Sequence, residues 1–126
     1  MKIIDVTKLE PKRVIKDPSG AFISNRILIE SDGMGYSLTK TIISKSNKKH
    51  FWHYKKHLES CYCISGYGII TNIKTNISYD ITQDKIYVLD QNDPHYFQAI
   101  EDTILICVFN PPLKGNELHK EDGSYE

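Results

Sequence analysis

Two short clusters of polar residues carry the side chains whose types and spacing could do chemistry. The clusters are Asn47-x5-His53-x-Lys55-x3-Glu59-x6-Gly66 and Asp84-x5-Asp90-x-Asn92-x2-His95. A carboxylate and a neutral imidazole together suit a divalent transition metal that keeps open coordination positions. A site built on Glu59 and His95 is therefore the first candidate, and its chemistry would be metal-assisted catalysis.

Glu59 and His95 also have purely structural explanations when each is taken alone. Glu59 fits the surface of a strand, and His95 fits a residue that caps the bend before it. At these spacings the two together favour a shared site. Glu59 also shares a strand face with Cys61 and Cys63 by the period of two, and an unpaired carboxylate is costly to bury there.

Short strands are the elements that must position these residues. Runs of β-branched or aromatic residues alternate with turn residues, and no window predicts a long amphipathic helix. The pattern predicts strands over residues 21–30, 36–44, 51–54, 59–65, 67–73, 77–81, 85–89, 95–100 and 103–109. We therefore expect an all-β fold, a small β-barrel or jelly roll whose strands point alternate residues inward.

The chain length of 126 residues fits one domain. We expect a barrel core over about residues 21–113, an N-terminal arm over residues 1–20 and a polar C-terminal segment over residues 114–126. That last segment has two open interpretations. It is either a frayed tail or a flap that carries Glu117 and His119 to the mouth of the barrel.

The composition argues against several classes of partner. Lys and Arg total 16, as do Asp and Glu, so the zero net charge gives no electrostatic reason to expect nucleic acid or an anionic membrane. No stretch approaches the ~20 apolar residues of a membrane span, and the N-terminus lacks the features of a signal peptide. We expect Cys61, Cys63 and Cys107 to be free thiols in a reducing cytoplasm.

Arg26 stands out because arginine is rare in this chain. Phe22, Ser24, Arg26 and Leu28 lie on one face of the first long predicted strand. If that face points inward, a bidentate clamp on a carboxylate ligand would explain Arg26. Both faces of the strand carry apolar residues, so an outward Arg26 is equally compatible with the pattern.

The spacing of the two polar clusters resembles the two motifs of the cupin family. Asn47, Asp84 and Asn92 stand where those motifs have glycine, and Asn and Asp tolerate left-handed backbone better than most residues. Lys55 stands where the first motif has its second histidine. An ammonium group cannot ligate a metal, so the ligand set must differ from the usual cupin set.

Longer blocks, spread over about residues 26–125, are similar to the ectoine synthase family within the cupins. The blocks are Asp32-Gly33-Met34-Gly35-Tyr36-Ser37, His57-Leu58-Glu59 with Tyr62-Cys63-Ile64 and Gly66-x-Gly68, Tyr87-x-Leu89-Asp90-x-x-Asp93-x-His95-Tyr96, Cys107-Val108-Phe109-Asn110-Pro111-Pro112-Leu113 and Gly115-x-Glu117-x-His119-x-Glu121-Asp122-Gly123-x-Tyr125. Several blocks in the right order are far more specific than either cupin motif.

The resemblance implies an iron-dependent, homodimeric enzyme that makes an osmoprotectant. Its substrate would be N4-acetyl-L-2,4-diaminobutyrate, which is closed to the cyclic compatible solute ectoine with loss of water. By the same resemblance the metal ligands would be Glu59, Tyr87 and His95. Tyr87 shares its strand face with Lys85 and Leu89, so alternation leaves the direction of its side chain open.

The resemblance also implies a pocket for the substrate. Its substrate-binding residues would be Phe22, Arg26, Thr41, Cys107 and Phe109, and its catalytic residues Tyr54, His57, Glu117 and His119. Of these, Glu117 and His119 also suit a flap that excludes water. Phe22 stands where the family commonly has tryptophan, so the aromatic wall is kept and the indole N–H is lost.

Two other functions remain open at this point. Other metal-dependent cupin enzymes, such as dioxygenases and isomerases, usually need more histidine ligands, and Lys55 argues against them. A ligand-sensing cupin without enzymatic activity is normally fused to a DNA-binding domain. The segments before residue 21 and after residue 113 are too short to form one.

Overall fold

The computed structural model describes residues 1–125, which form ten strands and three single-turn 3-10 helices. The strands are β1 (Val14–Lys16), β2 (Phe22–Leu28), β3 (Ser37–Ile43), β4 (His50–Trp52), β5 (Leu58–Ser65), β6 (Tyr67–Asn72), β7 (Ile77–Thr82), β8 (Ile86–Leu89), β9 (His95–Ala99) and β10 (Thr103–Asn110). The 3-10 helices are Val6–Lys8, Pro11–Arg13 and Glu30–Asp32. None of the helices in this part of the chain has the length and apolar character needed to cross a membrane.

The strands form two antiparallel sheets. The six-stranded sheet has the order β1-β2-β3-β10-β5-β8, and the four-stranded sheet has the order β4-β9-β6-β7. Ile43 and Leu105 from the first sheet share one buried core with Ile70 and Phe97 from the second. The prediction of an all-β fold, a small barrel or jelly roll, is therefore confirmed.

Each predicted strand corresponds to one of β2–β10, with ends that differ by no more than two residues. β1 was not predicted, because its three residues lie in the N-terminal arm and are held by pairing with β2. The 3-10 helix Glu30–Asp32 shortens the first predicted strand, and Gly33 ends that helix in the left-handed conformation with φ of 75°. Local sequence patterns thus predicted the strands that are long enough to show alternating buried and exposed residues.

β5 lies between β10 and β8 in the six-stranded sheet. The alternation of its side chains decides which of them reach the barrel interior. Glu59, Cys61 and Cys63 point into the barrel and are buried, as the period of two predicts. Cys61 lies directly opposite Cys107 of β10 on one side and Tyr87 of β8 on the other. Opposite residues of neighbouring strands point to the same face, so three reactive side chains meet inside the barrel.

Left-handed backbone was expected at the three positions where the polar clusters have Asn or Asp in place of glycine, and two of them have it. Asp84 and Asn92 have positive φ angles of 69° and 50°. Asn47 does not have a positive φ. Asn92 also donates side-chain hydrogen bonds to the carbonyl oxygens of Tyr54 and His57, at 3.0 and 3.1 Å. This turn therefore fixes the backbone that leads into β5.

The C-terminal segment folds back onto the barrel. The backbone N–H of His53 donates to the carbonyl of Gly123 at 2.9 Å, and Ser124 and Tyr125 are buried. Residues 114–125 are thus packed against the barrel and are not a frayed tail. Glu126, the last residue of the predicted flap, lies outside the described residues.

Candidate active site

A pocket inside the barrel brings together side chains from both sheets and from the C-terminal segment. Its volume is about 350 Å³ when the part open to solvent is included. Its walls are Phe22, Thr41, Ile43, Trp52, Tyr54, Glu59, Tyr87, Leu105, Cys107, Phe109, His119 and Tyr125. Eight of the twelve residues predicted for the site are among these walls. The other four, Arg26, His57, His95 and Glu117, lie elsewhere around the barrel interior.

Glu59 is a buried carboxyl group whose neighbours are thiols. It is 6% exposed, and the described residues give it no ion pair with Lys, Arg or His. Burial raises its pKa to about 8, and hydrogen bonds from Cys61 and Cys107 oppose that rise. A buried carboxylate without a cation is costly, so this position favours either a bound proton or a bound metal ion.

His95 presents a free nitrogen to the barrel interior. Its Nδ1 lies 2.9 Å from the carbonyl oxygen of Asp93, and because a carbonyl only accepts, Nδ1 carries the proton. Nε2 is then a lone-pair donor, and it is buried with no hydrogen-bond partner among residues 1–125. Burial also lowers the pKa of His95, which keeps the imidazole neutral. A backbone carbonyl that fixes the tautomer is typical of a metal-binding histidine.

Tyr87 shares one pocket wall with Glu59 and another with His95. Its ring lines the pocket and also a larger groove beside β7 and β8 that His95 helps to line. The ring centroids of Tyr87 and His95 are 6.4 Å apart, and Tyr87 lies opposite the inward-pointing Cys61 in the register of β8 and β5. The structure therefore settles the direction of Tyr87, which points inward.

The side chains around β5 fit a metal cofactor. Among residues 1–125, the ligand atoms of Glu59, Cys61 and Cys107 all lie within 4.8 Å of one another, and His95 is not part of that group. A carboxylate, thiols, a phenol and an unpartnered imidazole nitrogen are all donors that transition metals accept. The predicted ligands Glu59 and His95 thus line two different pockets, and the Tyr87 ring lines both of them.

Tyr54 and His119 form a hydrogen-bonded pair in the pocket. The Tyr54 hydroxyl lies 2.7 Å from Nε2 of His119. The His119 ring stacks on Trp52 on one face and on Tyr125 on the other, with centroid distances of 5.0 and 4.4 Å. Burial lowers the pKa of His119 to about 3 and raises that of Tyr54. Both groups are therefore neutral near pH 7.

Arg26 points inward and is fully buried, which settles the face left open by the sequence. Its two terminal nitrogens bond to Glu117, one to the carboxylate at 3.3 Å and one to the backbone carbonyl at 2.8 Å, while Nε donates to Ser24. The Glu117 carboxylate also accepts from the N–H groups of Lys114 and Gly115. Arg26 thus contacts a carboxylate of the flap through one nitrogen only, and the bidentate clamp on a ligand carboxylate stays a prediction.

His57 and Lys55 lie outside the pocket walls. Nδ1 of His57 lies 2.8 Å from the carbonyl oxygen of Pro111, and its ring stands edge-on to Phe109. Its Nε2 is buried without a partner in the described part of the chain. Lys55 is exposed and pairs with Asp122 at 2.8 Å, so the residue that replaces the usual cupin histidine does not enter the barrel.

Two aromatic residues that line the pocket, Trp52 and Tyr125, were not predicted from the sequence. Trp52 stands two residues before Tyr54, and the period of two, which places both on one face, was the signal that could have found it. Tyr125 belongs to no periodic element, and its place in the pocket depends on how the C-terminal segment folds back. No local pattern could have identified it.

Comparisons with known proteins point to one family. The family model described as ectoine synthase matches residues 1–126. The L-ectoine synthase of Shouchella clausii is 48% identical over 106 residues, which is 84% of this chain and 78% of that protein. The crystal structure of ectoine synthase from P. lautus superposes with a TM-score of 0.87 at 37% identity, covering 98% of this chain and 87% of that one.

The fold alone is shared more widely. The cupin domain of Cnp3 from Schizosaccharomyces pombe superposes with a TM-score of 0.65 at 10% identity, over 85% of this chain and 72% of that one. The much stronger match to one family separates this chain from cupins in general. The chain belongs to the ectoine synthase family.

Proposed function

We propose that this protein closes N4-acetyl-L-2,4-diaminobutyrate to ectoine with loss of water, as a carbon–oxygen lyase. The observation that carries the proposal is the pocket in which Glu59 and the Tyr54–His119 pair face a largely aromatic wall. Such a pocket suits a small polar substrate that must be folded on itself away from water. The product serves as a compatible solute, so we place the protein in the cytoplasm of a cell under osmotic stress.

Ring closure depends first on the shape of the substrate. The free α-amine must attack the carbonyl carbon of the acetyl amide in the same molecule. Holding both groups in contact is worth several kcal/mol as a proximity effect. Phe22, Trp52 and Phe109 lie around the pocket and can hold the bent substrate by packing. Thr41 and Cys107 stand on the same wall and offer short polar contacts to its amide.

Proton transfer is the second requirement. The amine must lose a proton after attack, and the carbinolamine hydroxyl must leave as water. Tyr54 and His119 are hydrogen-bonded to each other and line the pocket, so their position makes them candidates for this proton transfer. His57 has a buried, unpartnered Nε2 close to Phe109 and is a second candidate for this role.

The metal of the proposed mechanism is iron(II), held by Glu59, Tyr87 and His95. The free Nε2 of His95 and the cation-free carboxyl of Glu59 support this ligand set. When bound, such a metal supplies a Lewis acid that polarises the amide carbonyl. The role of the chain is then to keep Nε2 of His95 deprotonated through the bond between Nδ1 and Asp93.

Arg26 is the proposed anchor for the substrate carboxylate. It now binds Glu117 of the flap, so the substrate carboxylate must take over part of that hydrogen bonding. Glu117 and His119 belong to the same flap, and one closing motion therefore brings both to the substrate. The flap excludes water from the ring-closing step.

We also propose that the protein is a homodimer. An apolar surface on the outer faces of β5 and β8 supports this. Its exposed residues are Leu58, Tyr62, Ile64, Ile86 and Val88. A dimer contact there would cover the unpaired edge of β8. Light scattering on the wild type and on Ile86→Glu tests it, with the dimer expected for the first and the monomer for the second.

A product assay tests the enzymatic proposal. Protein purified without oxygen and loaded with iron(II) is expected to convert the acetylated diamino acid to ectoine, measured by chromatography. Glu59→Ala and His95→Ala are expected to lose both iron and turnover, whereas His53→Ala serves as a control outside the pocket. Absence of ectoine with the loaded wild type contradicts the proposed reaction, and full turnover in the metal-free variants contradicts the metal site.

A further inference from the structure

Cys61 has no role in the proposed reaction, and yet it is fully buried opposite Cys107 and Tyr87, two residues of the pocket wall. It lies opposite Cys107 in the register of β5 and β10, and Glu59 stands two residues before it on the same inward face of β5. The three ligand atoms lie within 4.8 Å of one another. Two thiols and a carboxyl group without a cationic partner thus converge on one point inside the barrel.

We propose that Glu59, Cys61 and Cys107 form a second, sulfur-rich ligand set, which binds a thiophilic divalent cation such as zinc. Zinc accepts Cys sulfur at about 2.3 Å and carboxylate oxygen at about 2.0–2.2 Å in tetrahedral sites. Ligand atoms around such an ion stand a little under 4 Å apart, so small side-chain rotations close this cluster around it. Thiolates also favour zinc over harder cations.

The charge and the remaining coordination position fit a bound cation. Binding releases the two thiol protons and the proton of the buried Glu59 carboxyl group to solvent, and it leaves two thiolates and one carboxylate around the divalent ion. Tyr87 lies opposite Cys61 in the register of β5 and β8, so its phenol or a water molecule beside it supplies the fourth ligand. Each group is held on a strand of the six-stranded sheet, which makes the cluster rigid.

The second ligand set shares Glu59 with the proposed iron site. A thiophilic cation held by the two cysteines therefore excludes iron, and zinc inhibits the enzyme by occupying Glu59. This exclusion rests on the proposed function, because it needs Glu59 as an iron ligand. Binding by the cysteines does not rest on it, because that binding needs only the geometry of β5 and β10.

Cobalt(II) is a suitable probe because its bonds to thiolate give an intense near-ultraviolet charge-transfer band. Metal-free, reduced wild-type protein titrated with cobalt(II) is expected to show this band. Cys61→Ser and Cys107→Ser are each expected to lose about half of it and to bind cobalt at least tenfold more weakly. Cys63→Ser is the matched control, because Cys63 is buried on the same face of β5 but its thiol bonds to the carbonyl of Ser65. No band in the wild type, or an equal loss in Cys63→Ser, overturns the proposal.

His95→Ala separates this inference from the proposed function. The variant is expected to keep the cobalt–thiolate band, since His95 is not in the cluster. Loss of the band in this variant overturns the second ligand set, because the cysteines and His95 would then form one site. X-ray absorption at the zinc edge tests the wild type without any substitution. Sulfur neighbours at about 2.3 Å support the proposal, and a shell of oxygen and nitrogen alone overturns it.

Discussion

The hydroxyl of Tyr54 lies 2.7 Å from Nε2 of His119, and this bond joins the segment after β4 to the C-terminal flap. The two residues are 65 positions apart in the chain. The pair exists only when the flap is folded over the pocket, so closure of the flap and assembly of the proton-transfer groups are one event. The following predictions concern this pair, the flap, the buried carboxyl group and one turn of the barrel.

Removing the Tyr54 hydroxyl should slow turnover more than it weakens binding. Tyr54→Phe keeps the ring that packs on Phe109 and removes the partner of His119. Since a positioned acid or base contributes about 10²–10⁴-fold, kcat should fall by about 10²-fold or more with little change in KM. Steady-state kinetics measures both constants.

Tyr67→Phe is the matched control for that variant, because it removes a hydroxyl that bonds to Asp80 at the surface. It should leave both kinetic constants close to those of the wild type. An unchanged kcat in Tyr54→Phe would show that the hydroxyl takes no part in proton transfer.

The buried ion pair of the flap should matter far more to stability than the exposed one. The side chains of Arg26 and Glu117 are 0% and 5% exposed, whereas those of Lys55 and Asp122 are 52% and 48% exposed. Glu117→Ala leaves the Arg26 guanidinium buried without its carboxylate, at a cost of about 3–5 kcal/mol in the free energy of unfolding. Urea unfolding measures that loss.

Lys55→Ala is the comparison, since it breaks the exposed pair with Asp122. Its melting temperature should change little, because solvent screens such pairs. Equal losses of stability in Glu117→Ala and Lys55→Ala would mean that the buried pair does not hold the flap.

The stability of the metal-free protein should carry a pH dependence from Glu59. Burial raises the pKa of this carboxyl group from 4.5 to about 8, so the folded state holds the proton more tightly than the unfolded state. The contribution is fully present below the unfolded pKa of 4.5 and is lost as the pH rises through about 8. The free energy of unfolding should fall over this range by at most about 1.4 kcal/mol per pH unit from this group.

Glu59→Gln isolates that contribution, because glutamine does not titrate and other groups affect both proteins alike. Urea unfolding of the two metal-free proteins between the two pKa values should give curves that approach or cross with rising pH. Parallel curves would show that the proton on Glu59 is not held by burial.

Two glycines with positive φ should respond differently to the same substitution. Gly66, between β5 and β6, has φ of 97°, and an added Cβ would contact the Asp102 carbonyl and lie 2.7 Å from Cα of Thr103. Gly33 has φ of 75° with open space around it. Gly33→Ala should cost about 1–2 kcal/mol for the backbone alone. Gly66→Ala should cost about 1–3 kcal/mol more for the clash, measured by thermal unfolding.

Equal destabilisation by these two substitutions would show that backbone conformation, and not the approach of Asp102, makes glycine necessary at position 66. The comparison matters for the site because Gly66 ends the first polar cluster and directs β6 away from β5.

The sequence was sufficient to predict where the strands lie and which residues share one face of β5. Alternation and turn residues are local signals, and they place Glu59, Cys61 and Cys63 on one side whatever the rest of the chain does. The direction of Tyr87 could not be predicted, because both faces of its strand carry apolar residues. Pairing with β5 settles it, since Tyr87 lies opposite the inward-pointing Cys61.

The sequence by itself determined the family, the all-β barrel and which side chains are available for chemistry. Only the tertiary structure decided how those side chains are engaged. Arg26 binds Glu117 across 91 residues, and His119 reaches Tyr54 across 65. Tyr125 stacks on His119 from the end of the described chain. Such contacts form between segments that are distant in the sequence and are brought together when the barrel closes and the flap folds over it, so no local pattern encodes them.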